Sequence, residues 1–211
     1  MSDRHSDLSA PLAIVCGGGA IPFAVADSLQ AQGRSFVLFG ISGVADAGRI
    51  SAYPHYWVGL GQLGRFMRLA RTEGCREVAF IGALKRPALW AIGFDLKALL
   101  YLPQVIAAFR GGDDHLLTSV GRLIEAEGFR VIGAHEVAPQ VLMPNGVLTR
   151  LAPSPRDQAD IARALQVLFE NSALDRGQAA VVADGNTLVL EGSGGTDSMM
   201  EQLAGLRARE G

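Results

Sequence analysis

A run of glycines near the N-terminus is the first stretch of the sequence that points to chemistry. Gly17, Gly18 and Gly19 follow a short apolar segment, and Pro22 comes shortly after them. Glycine tolerates positive φ and close approach to its backbone, and proline fits the first turn of a helix. Free N–H groups at a helix start attract an anion. The pattern predicts a phosphate-binding turn at these glycines and Ala20, with a plain glycine-rich turn as the alternative.

Two known glycine motifs fit this run poorly. A Walker-type phosphate loop needs Gly-Lys-Ser/Thr after the glycines, where this sequence has Ala20-Ile21-Pro22. The dinucleotide fingerprint G-x-G-x-x-G is met at Gly17 and Gly19, but a proline replaces its third glycine. The fingerprint also needs an acid about twenty residues further on, and the first acid beyond Phe39-Gly40 is Asp46. We therefore do not expect a nicotinamide or flavin cofactor.

Adjacent carboxylates further along the chain are candidate metal ligands. Asp113 and Asp114 follow Gly111 and Gly112 directly. In proteins Mg²⁺ binds through one or two carboxylates together with water and phosphate oxygens, so this pair suits a Mg²⁺ ion that holds a diphosphate. The alternative is structural: one aspartate caps a helix and the other adds a favourable charge to its first turn.

Polar residues that follow the fourth and fifth predicted strands are candidates for substrate contact. Lys85 and Arg86 follow the fourth strand, and His135 and Glu136 follow the fifth. Ligands of open α/β sheets bind outside the carboxyl ends of the strands. Lys85 and Arg86 are therefore either diphosphate contacts or surface cations before a proline. His135 and Glu136 either contact the substrate or cap a loop.

A second glycine-containing turn lies near the C-terminus. Gly194-Gly195-Thr196-Asp197 follows a predicted strand and precedes a predicted helix, as the first glycine run does. Asp197 either presents a carboxylate to a ligand from this turn or only supports the helix terminus. The second interpretation includes a capping box formed by Ser198 and Glu201.

Strands and helices that alternate along the chain must position these residues. Continuous apolar runs suit a parallel sheet that is covered on both faces, and turns rich in glycine separate them from helical patterns. The predicted strands run from Leu12 to Val15, Ser35 to Phe39, His55 to Val58, Glu77 to Ile81 and Phe129 to Ala134. We predict an α/β fold with an N-terminal Rossmann-like parallel sheet and flanking helices, followed by a smaller α+β domain.

The character of the sequence changes after Val137. Prolines become frequent from Ala138 to Ser154, and Asn145-Gly146 between apolar runs is typical of a hairpin. We therefore predict a Rossmann-like domain over 1–137 and a smaller domain over 138–211. The smaller domain is predicted to hold a helix from Asp157 to Asn171 and a second hairpin around Asp184-Gly185-Asn186.

Composition excludes several classes of protein. Of the 211 residues, 49% are hydrophobic, which is enough to form a buried core. The formal charge of −2 does not favour a general nucleic-acid binder. No apolar run approaches the ~20 residues of a membrane span, and Met1 to Ala10 lacks a signal-peptide core, so we expect a cytoplasmic protein. Cys16 and Cys75 have no metal-type spacing and are expected as reduced thiols. The apolar residues from Leu99 to Val105 are more numerous than one buried face of a helix requires. They could line an acyl-chain groove or form a dimer contact, but we expect them to belong to the core.

Seven separated motifs then agree with one family in order and spacing. They are Val15-Cys16-Gly17-Gly18-Gly19-Ala20-Ile21-Pro22, Gly59-Leu60-Gly61-Gln62-Leu63-Gly64, Gly112-Asp113-Asp114, Gly128-Phe129, Gly133-Ala134-His135-Glu136-Val137, Asp175-Arg176-Gly177-Gln178 and Gly195-Thr196-Asp197. Together they resemble the LpxI type of UDP-2,3-diacylglucosamine pyrophosphatase. The resemblance extends from Pro11 to about Met200.

The resemblance implies a hydrolase of lipid A biosynthesis in Gram-negative bacteria. Mg²⁺-assisted attack of water on the phosphorus nearer uridine would give UMP and 2,3-diacylglucosamine 1-phosphate (lipid X). It implies metal ligands at Asp113, Asp114 and Asp197, with Asp113 and Asp197 catalytic. The implied substrate contacts are Gly17, Gly18, Gly19, Ala20, Lys85, Arg86, His135, Glu136, Gln178 and Thr196. The expected partners are the UDP-linked diacylated glucosamine, the inner-membrane surface as a peripheral contact, and a second copy in a homodimer.

The sequence departs from the family pattern in two places. Family members usually carry a glutamate where this sequence has Gly194, and Glu191 lies nearby but earlier in the chain. The sequence also ends at Gly211, before a family segment around Asp-Leu-Pro that we associate with activity, so we expect a shortened form. The alternatives are a non-catalytic binding protein for nucleotide sugars or lipid phosphates, and a small oxidoreductase with an altered fingerprint.

Overall fold

The structure is a computed structural model that describes residues 10–84, 93–101, 113–172, 177–192 and 194–210. The side chains of 113–116 and 207–210 lie outside this description, as do Lys85 and Arg86 altogether. The chain divides into two compact units, Met1–Met143 and Pro144–Gly211. This division falls several residues after the predicted Val137/Ala138 boundary.

A parallel five-stranded sheet forms the centre of the first unit, with the order β3-β2-β1-β4-β5. This is the strand order of a Rossmann-like doubly wound sheet, so the predicted fold class is confirmed. The order reverses between β1 and β4, which makes their carboxyl ends the switch point. The strands are β1 (Leu12–Cys16), β2 (Phe36–Ile41), β3 (His55–Val58), β4 (Glu77–Ile81) and β5 (Arg130–Val131).

Helices connect these strands. Pro22 lies in the first turn of α1, as predicted, and Asp46 caps α2 by accepting the N–H groups of Gly48 and Arg49. The helices of the first unit are α1 (Ile21–Ala31), α2 (Ala47–Ile50), α3 (Leu63–Thr72), α4 (96–101), α5 (Asp113–Ala126) and α6 (Ala134–Val137), with a 3-10 turn at Pro139–Val141.

The core of this unit covers both faces of the sheet. Leu12 and Ile14 of β1 pack with Phe23 of α1 on one face. Ala13, the residue between them, packs on the other face with Phe39 and other apolar side chains. Because successive strand residues point to opposite faces, a strand buried on both sides must be apolar throughout. That requirement explains the continuous runs in the sequence.

One charged residue is buried at the amino ends of the strands. Glu77 is only 5% exposed. Its carboxylate accepts hydrogen bonds from Arg34, at 2.6 Å, and from Arg130, the partner of Glu77 across the β4–β5 pair. The ion pairs compensate the cost of burying the charge. They also tie the segment before β2 to the two strands of the opposite half of the sheet.

Helix α4 is attached to Glu127 by polar contacts and exposes apolar side chains. Glu127 accepts hydrogen bonds from Lys97 at 2.6 Å, from Tyr101 at 2.9 Å and from Arg71 at 3.0 Å. These donors, Lys97 first, lower the pKa of Glu127 to about 2. Leu99 and Leu100 are exposed. Our expectation that the leucines here belong to the core is therefore wrong for these two, because the helix is held to Glu127 through Lys97 and Tyr101 rather than through these leucines. The remainder of the segment, to Val105, lies outside the described residues.

The second unit is built on the antiparallel pair β6 (Ala180–Ala183) and β7 (Asn186–Leu190). The predicted hairpin is confirmed: Asp184 and Gly185 both have positive φ at its turn. Asp160 of α7 (Pro155–Ser172) accepts their N–H groups at 3.0 and 2.7 Å. Helix α8 (Gly195–Glu210) packs on β7 through a small apolar cluster formed by Val189, Met199 and Leu203.

Three predictions of local structure are wrong. The fifth strand is shorter than predicted, because the chain turns into α6 at Ala134. No strands flank Asn145-Gly146 within the described range 113–172, so the first predicted hairpin is absent there. Helix α8 begins at Gly195, which places Ser198 inside the helix rather than at its cap.

Candidate active site

The glycine run after β1 is bonded to the loop after β4. The N–H of Gly17 donates to the carbonyl of Ile81 at 2.8 Å, and the N–H of Gly18 donates to the carbonyl of Ala83 at 2.8 Å. The N–H of Ala83 donates back to Gly18 at 2.9 Å. The two loops therefore form a small antiparallel bridge across the switch point of the sheet.

Glycine is needed in both loops because their backbones nearly touch. A Cβ at Gly17 would lie 2.7 Å from the carbonyl oxygen of Ala83. Gly82 has a φ of +104°, and a Cβ there would lie 2.7 Å from the carbonyl oxygen of Gly18. The glycines thus allow the approach of a second loop, a role that glycine spacing alone did not separate from phosphate binding.

Two of the predicted phosphate donors remain open. Gly19 has a φ of +92°, and Ala20 is the N-cap residue of α1 without a side-chain cap. Both are exposed, and within the described ranges neither backbone N–H has a hydrogen-bond partner. Unpaired N–H groups at a helix start are suited to an anion. Of the predicted donors, those of Gly19 and Ala20 are therefore left without a partner in the described ranges, while those of Gly17 and Gly18 are used in the bridge.

His135 and Glu136 lie after β5, in the first turn of α6. Glu136 accepts the N–H of Gly133 at 2.8 Å, so its carboxylate caps the helix. The ring of His135 folds over the same glycine: a Cβ at Gly133 would lie 2.6 Å from its Nδ1. The contact seen for Glu136 is thus the capping alternative, and His135 remains exposed beside it.

Asp113 and Asp114 begin helix α5. The backbone therefore places both in its first turn, the position where a carboxylate is favourable to the helix. Asp197 lies in the first turn of α8 in the second unit and is exposed. No group of three or more histidine, cysteine, aspartate or glutamate side chains surrounds a metal position among the described residues, which do not include the side chains of Asp113 and Asp114.

Gln178 and Thr196 are brought together by Glu191. One carboxylate oxygen of Glu191, Oε2, accepts the backbone N–H of Gln178 at 2.6 Å. The other, Oε1, accepts the hydroxyl of Thr196 at 2.6 Å. The N–H of Glu191 also donates to Ala179 at 2.9 Å. These contacts join the segment before β6 to the start of α8.

Charge and backbone geometry support this contact. Hydrogen bonds from the Thr196 hydroxyl and then from the Gln178 N–H lower the pKa of Glu191, because both favour the ionised carboxylate. Gly177 has a φ of +71°, and a Cβ there would overlap the carbonyl oxygen of Glu191. From the sequence, Glu191 was identified only as an acid near the glycine turn. The glycine at position 177 was the one sign in the sequence that another backbone segment approaches there.

A separate groove of about 500 Å³ lies between α3 and α4. Asp95 accepts the N–H of Arg65 at 3.0 Å and the N–H of Ala98 at 2.8 Å, which fixes the two helix starts side by side. The groove combines apolar and cationic side chains, and its lining is Gln62, Gly64, Arg65, Arg68, Asp95, Leu96, Lys97 and Leu100.

Comparison with known proteins decides the family. Residues 11–141 match the model of the LpxI N-terminal domain, and residues 144–211 match that of the LpxI C-terminal domain. The chain is 40% identical over 195 residues to the UDP-2,3-diacylglucosamine pyrophosphatase LpxI of Caulobacter vibrioides. That alignment covers 92% of this chain and 69% of the relative. The chain belongs to the LpxI family.

The two LpxI domains correspond closely to the two compact units, whose division falls between Met143 and Pro144. The glycine bridge and the exposed donors lie in the N-terminal domain of this LpxI-family chain, and the Glu191 contacts lie in its C-terminal domain. No helix in the described ranges is long and apolar enough to span a membrane.

Proposed function

We propose that this chain hydrolyses the diphosphate of UDP-2,3-diacylglucosamine, the step of lipid A biosynthesis that yields UMP and 2,3-diacylglucosamine 1-phosphate. The observation that carries the proposal is the match to both LpxI domains together with the 40% identity to a relative named for this substrate. The donors at the switch point of the sheet are consistent with a substrate that carries two phosphates.

The exposed donors of the first unit bind a phosphate oxygen in this proposal. Gly19 and Ala20 are exposed residues directly before α1, and within the described ranges their N–H groups have no partner at a helix start, where the dipole favours negative charge. Lys85 and Arg86 follow the bridged loop after β4 and would add positive charge at the same edge. Fixed donors of this kind stabilise charge that develops on phosphate oxygens in the transition state.

Three carboxylates are the proposed candidates for Mg²⁺ ligands. Asp113 and Asp114 stand in the first turn of α5, and Asp197 is exposed in the first turn of α8. Their oxygen donors match the preference of Mg²⁺. When bound, the ion would neutralise phosphate charge as a Lewis acid. Asp113 and Asp197 are the proposed catalytic carboxylates.

The reaction forms one bond and breaks one. The oxygen of water bonds to the phosphorus nearer uridine, and the bond from that phosphorus to the bridging oxygen breaks. UMP retains the oxygen of water, and the bridging oxygen leaves on 2,3-diacylglucosamine 1-phosphate. The protons of the water pass to the two phosphomonoester products or, as these ionise, to solvent. We further propose a cytoplasmic protein that contacts the inner membrane peripherally, where its lipid substrate resides, and a homodimer as its assembly.

Hydrolysis in H₂¹⁸O tests the proposal. Purified protein with UDP-2,3-diacylglucosamine and Mg²⁺ is expected to release UMP that carries one ¹⁸O atom, and EDTA is expected to stop the release. Binding of the substrate without release of UMP would contradict hydrolysis and favour a binding protein. Label in the lipid product instead would contradict attack at the phosphorus nearer uridine.

Asp113→Asn tests the proposed metal ligand. The amide removes the negative charge that Mg²⁺ prefers, so we expect Mg²⁺-dependent turnover to fall by at least about 100-fold. Glu125→Gln, an exposed carboxylate on the same helix, is the matched control and is expected to keep full activity. Full activity in Asp113→Asn would remove this residue from the site.

A further inference from the structure

We propose that Glu191 is a positioning residue that fixes the hydroxyl of Thr196 as a hydrogen-bond acceptor for a sugar hydroxyl of the substrate. The inference rests on the proposed function for the identity of the substrate. It goes beyond that function because it assigns a role to Glu191 and a chemical class to the group that Thr196 contacts.

The position of one proton decides what the Thr196 oxygen can bind. A threonine hydroxyl has one O–H to donate and two lone pairs that accept. In this structure the Thr196 hydroxyl gives its proton to Glu191 Oε1 at 2.6 Å. Glu191 is held in its ionised form by this bond and by the N–H of Gln178, which lower the pKa of its carboxyl group. The oxygen of Thr196 is therefore left with lone pairs only.

That assignment limits what Thr196 can bind. Phosphate oxygens of a diphosphate diester accept hydrogen bonds and carry no proton to donate at neutral pH, so they are poor partners for an oxygen that only accepts. The ribose and glucosamine hydroxyl groups of the proposed substrate are donors. Thr196 is exposed, so its oxygen is accessible to them.

The position of Glu191 is itself fixed by the backbone. Its N–H is bonded to Ala179, and its carbonyl lies so close to Gly177 that no side chain fits there. Its other oxygen is occupied by the N–H of Gln178 at 2.6 Å. Glu191 thus cannot leave Thr196 without breaking contacts to the segment before β6. A fixed acceptor of this kind is what positioning through a second residue requires.

The test compares changes at both residues. Thr196→Val removes the hydroxyl at nearly constant volume and is expected to raise KM by about tenfold, with kcat changed by less than a factor of three. Thr196→Ser keeps the hydroxyl and is expected to restore KM. Glu191→Ala is expected to raise KM as Thr196→Val does, and the double variant to be no worse than either single one. Glu201→Gln, an exposed carboxylate on α8, is the matched control.

Binding and stability measurements separate the possible failures. Calorimetric substrate affinity, measured with EDTA present, is expected to fall in Glu191→Ala and Thr196→Val whether or not the wild type turns over. The proposed function and this inference can therefore fail separately. An unchanged KM in Thr196→Val, a changed Mg²⁺ requirement in that variant, or additive effects in the double variant would overturn the inference. The inference would also be overturned if Thr196→Val were unfolded at the assay temperature to an extent that accounts for its whole loss of binding.

Discussion

In both units glycine lets two backbone segments approach closely, but the hydrogen-bonding groups exposed beside them are of opposite type. In the first unit, Gly17 and Gly82 let two backbones meet, and the exposed groups that result are N–H donors at the start of α1. In the second unit, Gly177 lets the backbone of Glu191 approach, and the exposed groups that result are acceptors. At Gly17, Gly82 and Gly177 the lack of a side chain thus permits close approach, and the neighbouring residues decide which hydrogen-bonding groups are exposed.

The units also differ in how their charges are supported. Glu77 in the first unit is buried between Arg34 and Arg130. In the second unit the ion pair of Arg156 with Asp184 is largely exposed on both sides. Buried pairs are costly to break from one side, whereas exposed pairs contribute little. The same type of contact therefore has different consequences in the two units.

The largest expected effect on stability comes from removing the buried charge of Glu77. Glu77→Gln leaves two guanidinium groups without their carboxylate, so we expect a destabilisation of about 3 kcal/mol. Arg156→Gln, the matched change of an exposed pair, is expected to cost less than about 1 kcal/mol. Urea denaturation followed by tryptophan fluorescence and by circular dichroism measures both. Equal costs would contradict the contrast between the units.

Substitutions of two glycines in the bridged loops test the backbone contact at the switch point. Gly82→Ala combines a Cβ at 2.7 Å from a carbonyl oxygen with positive φ, and we expect it to cost about 2 to 3 kcal/mol. A Cβ at Gly18 would lie 3.5 Å from its nearest neighbour, an ordinary contact, so Gly18→Ala is expected to cost much less. Thermal denaturation decides between them. A harmless Gly82→Ala would mean that the two loops do not approach as described.

The sequence predicted the parts of the fold that depend on neighbours in the chain. The apolar runs gave the sheet, Pro22 the start of α1, and Asp184-Gly185 the hairpin turn, because each depends on local backbone preferences. The bridge from Gly18 to Ala83 joins residues far apart in sequence. No local pattern encodes that pairing, so donors used by the bridge were expected to bind phosphate.

The same reason applies to the candidate site of the second unit. Gln178 and Thr196 were expected to contact substrate from the family resemblance, but the contact that joins them passes through Glu191. The start of α8 was misplaced because Ser198 and Glu201 have capping-box spacing, whereas the helix already begins at Gly195. Spacing along the chain identified the residue types and could not show which of them meet.

A pH titration tests the polar contacts that Glu127 makes in the first unit. The folded-state pKa of Glu127 is about 2, below its ordinary value of 4.5, so the unfolded chain binds more protons between these values. The stability that this carboxylate contributes is therefore complete above pH 4.5 and is lost as the pH falls toward 2. We expect Glu127→Gln to flatten the dependence of the melting temperature on pH in this window. An unchanged slope would contradict the contacts with Lys97, Tyr101 and Arg71.

The smallest effect concerns the thiols of the first unit. Burial raises the pKa of both Cys16 and Cys75 to about 11, so little reactive thiolate is present near neutral pH. We expect slow modification by a thiol reagent at pH 8 in the folded protein and rapid modification of both in urea. Mass spectrometry over time measures the rates. Rapid modification without urea would show that the core of this unit opens readily.

Release of UMP by this chain tests the central claim most directly. UDP-2,3-diacylglucosamine is incubated with the protein and Mg²⁺, and UMP is followed over time with and without EDTA. We predict Mg²⁺-dependent release of UMP in step with 2,3-diacylglucosamine 1-phosphate. Tight binding of the substrate with no release of UMP would contradict the claim that this LpxI-family chain is a diphosphate hydrolase.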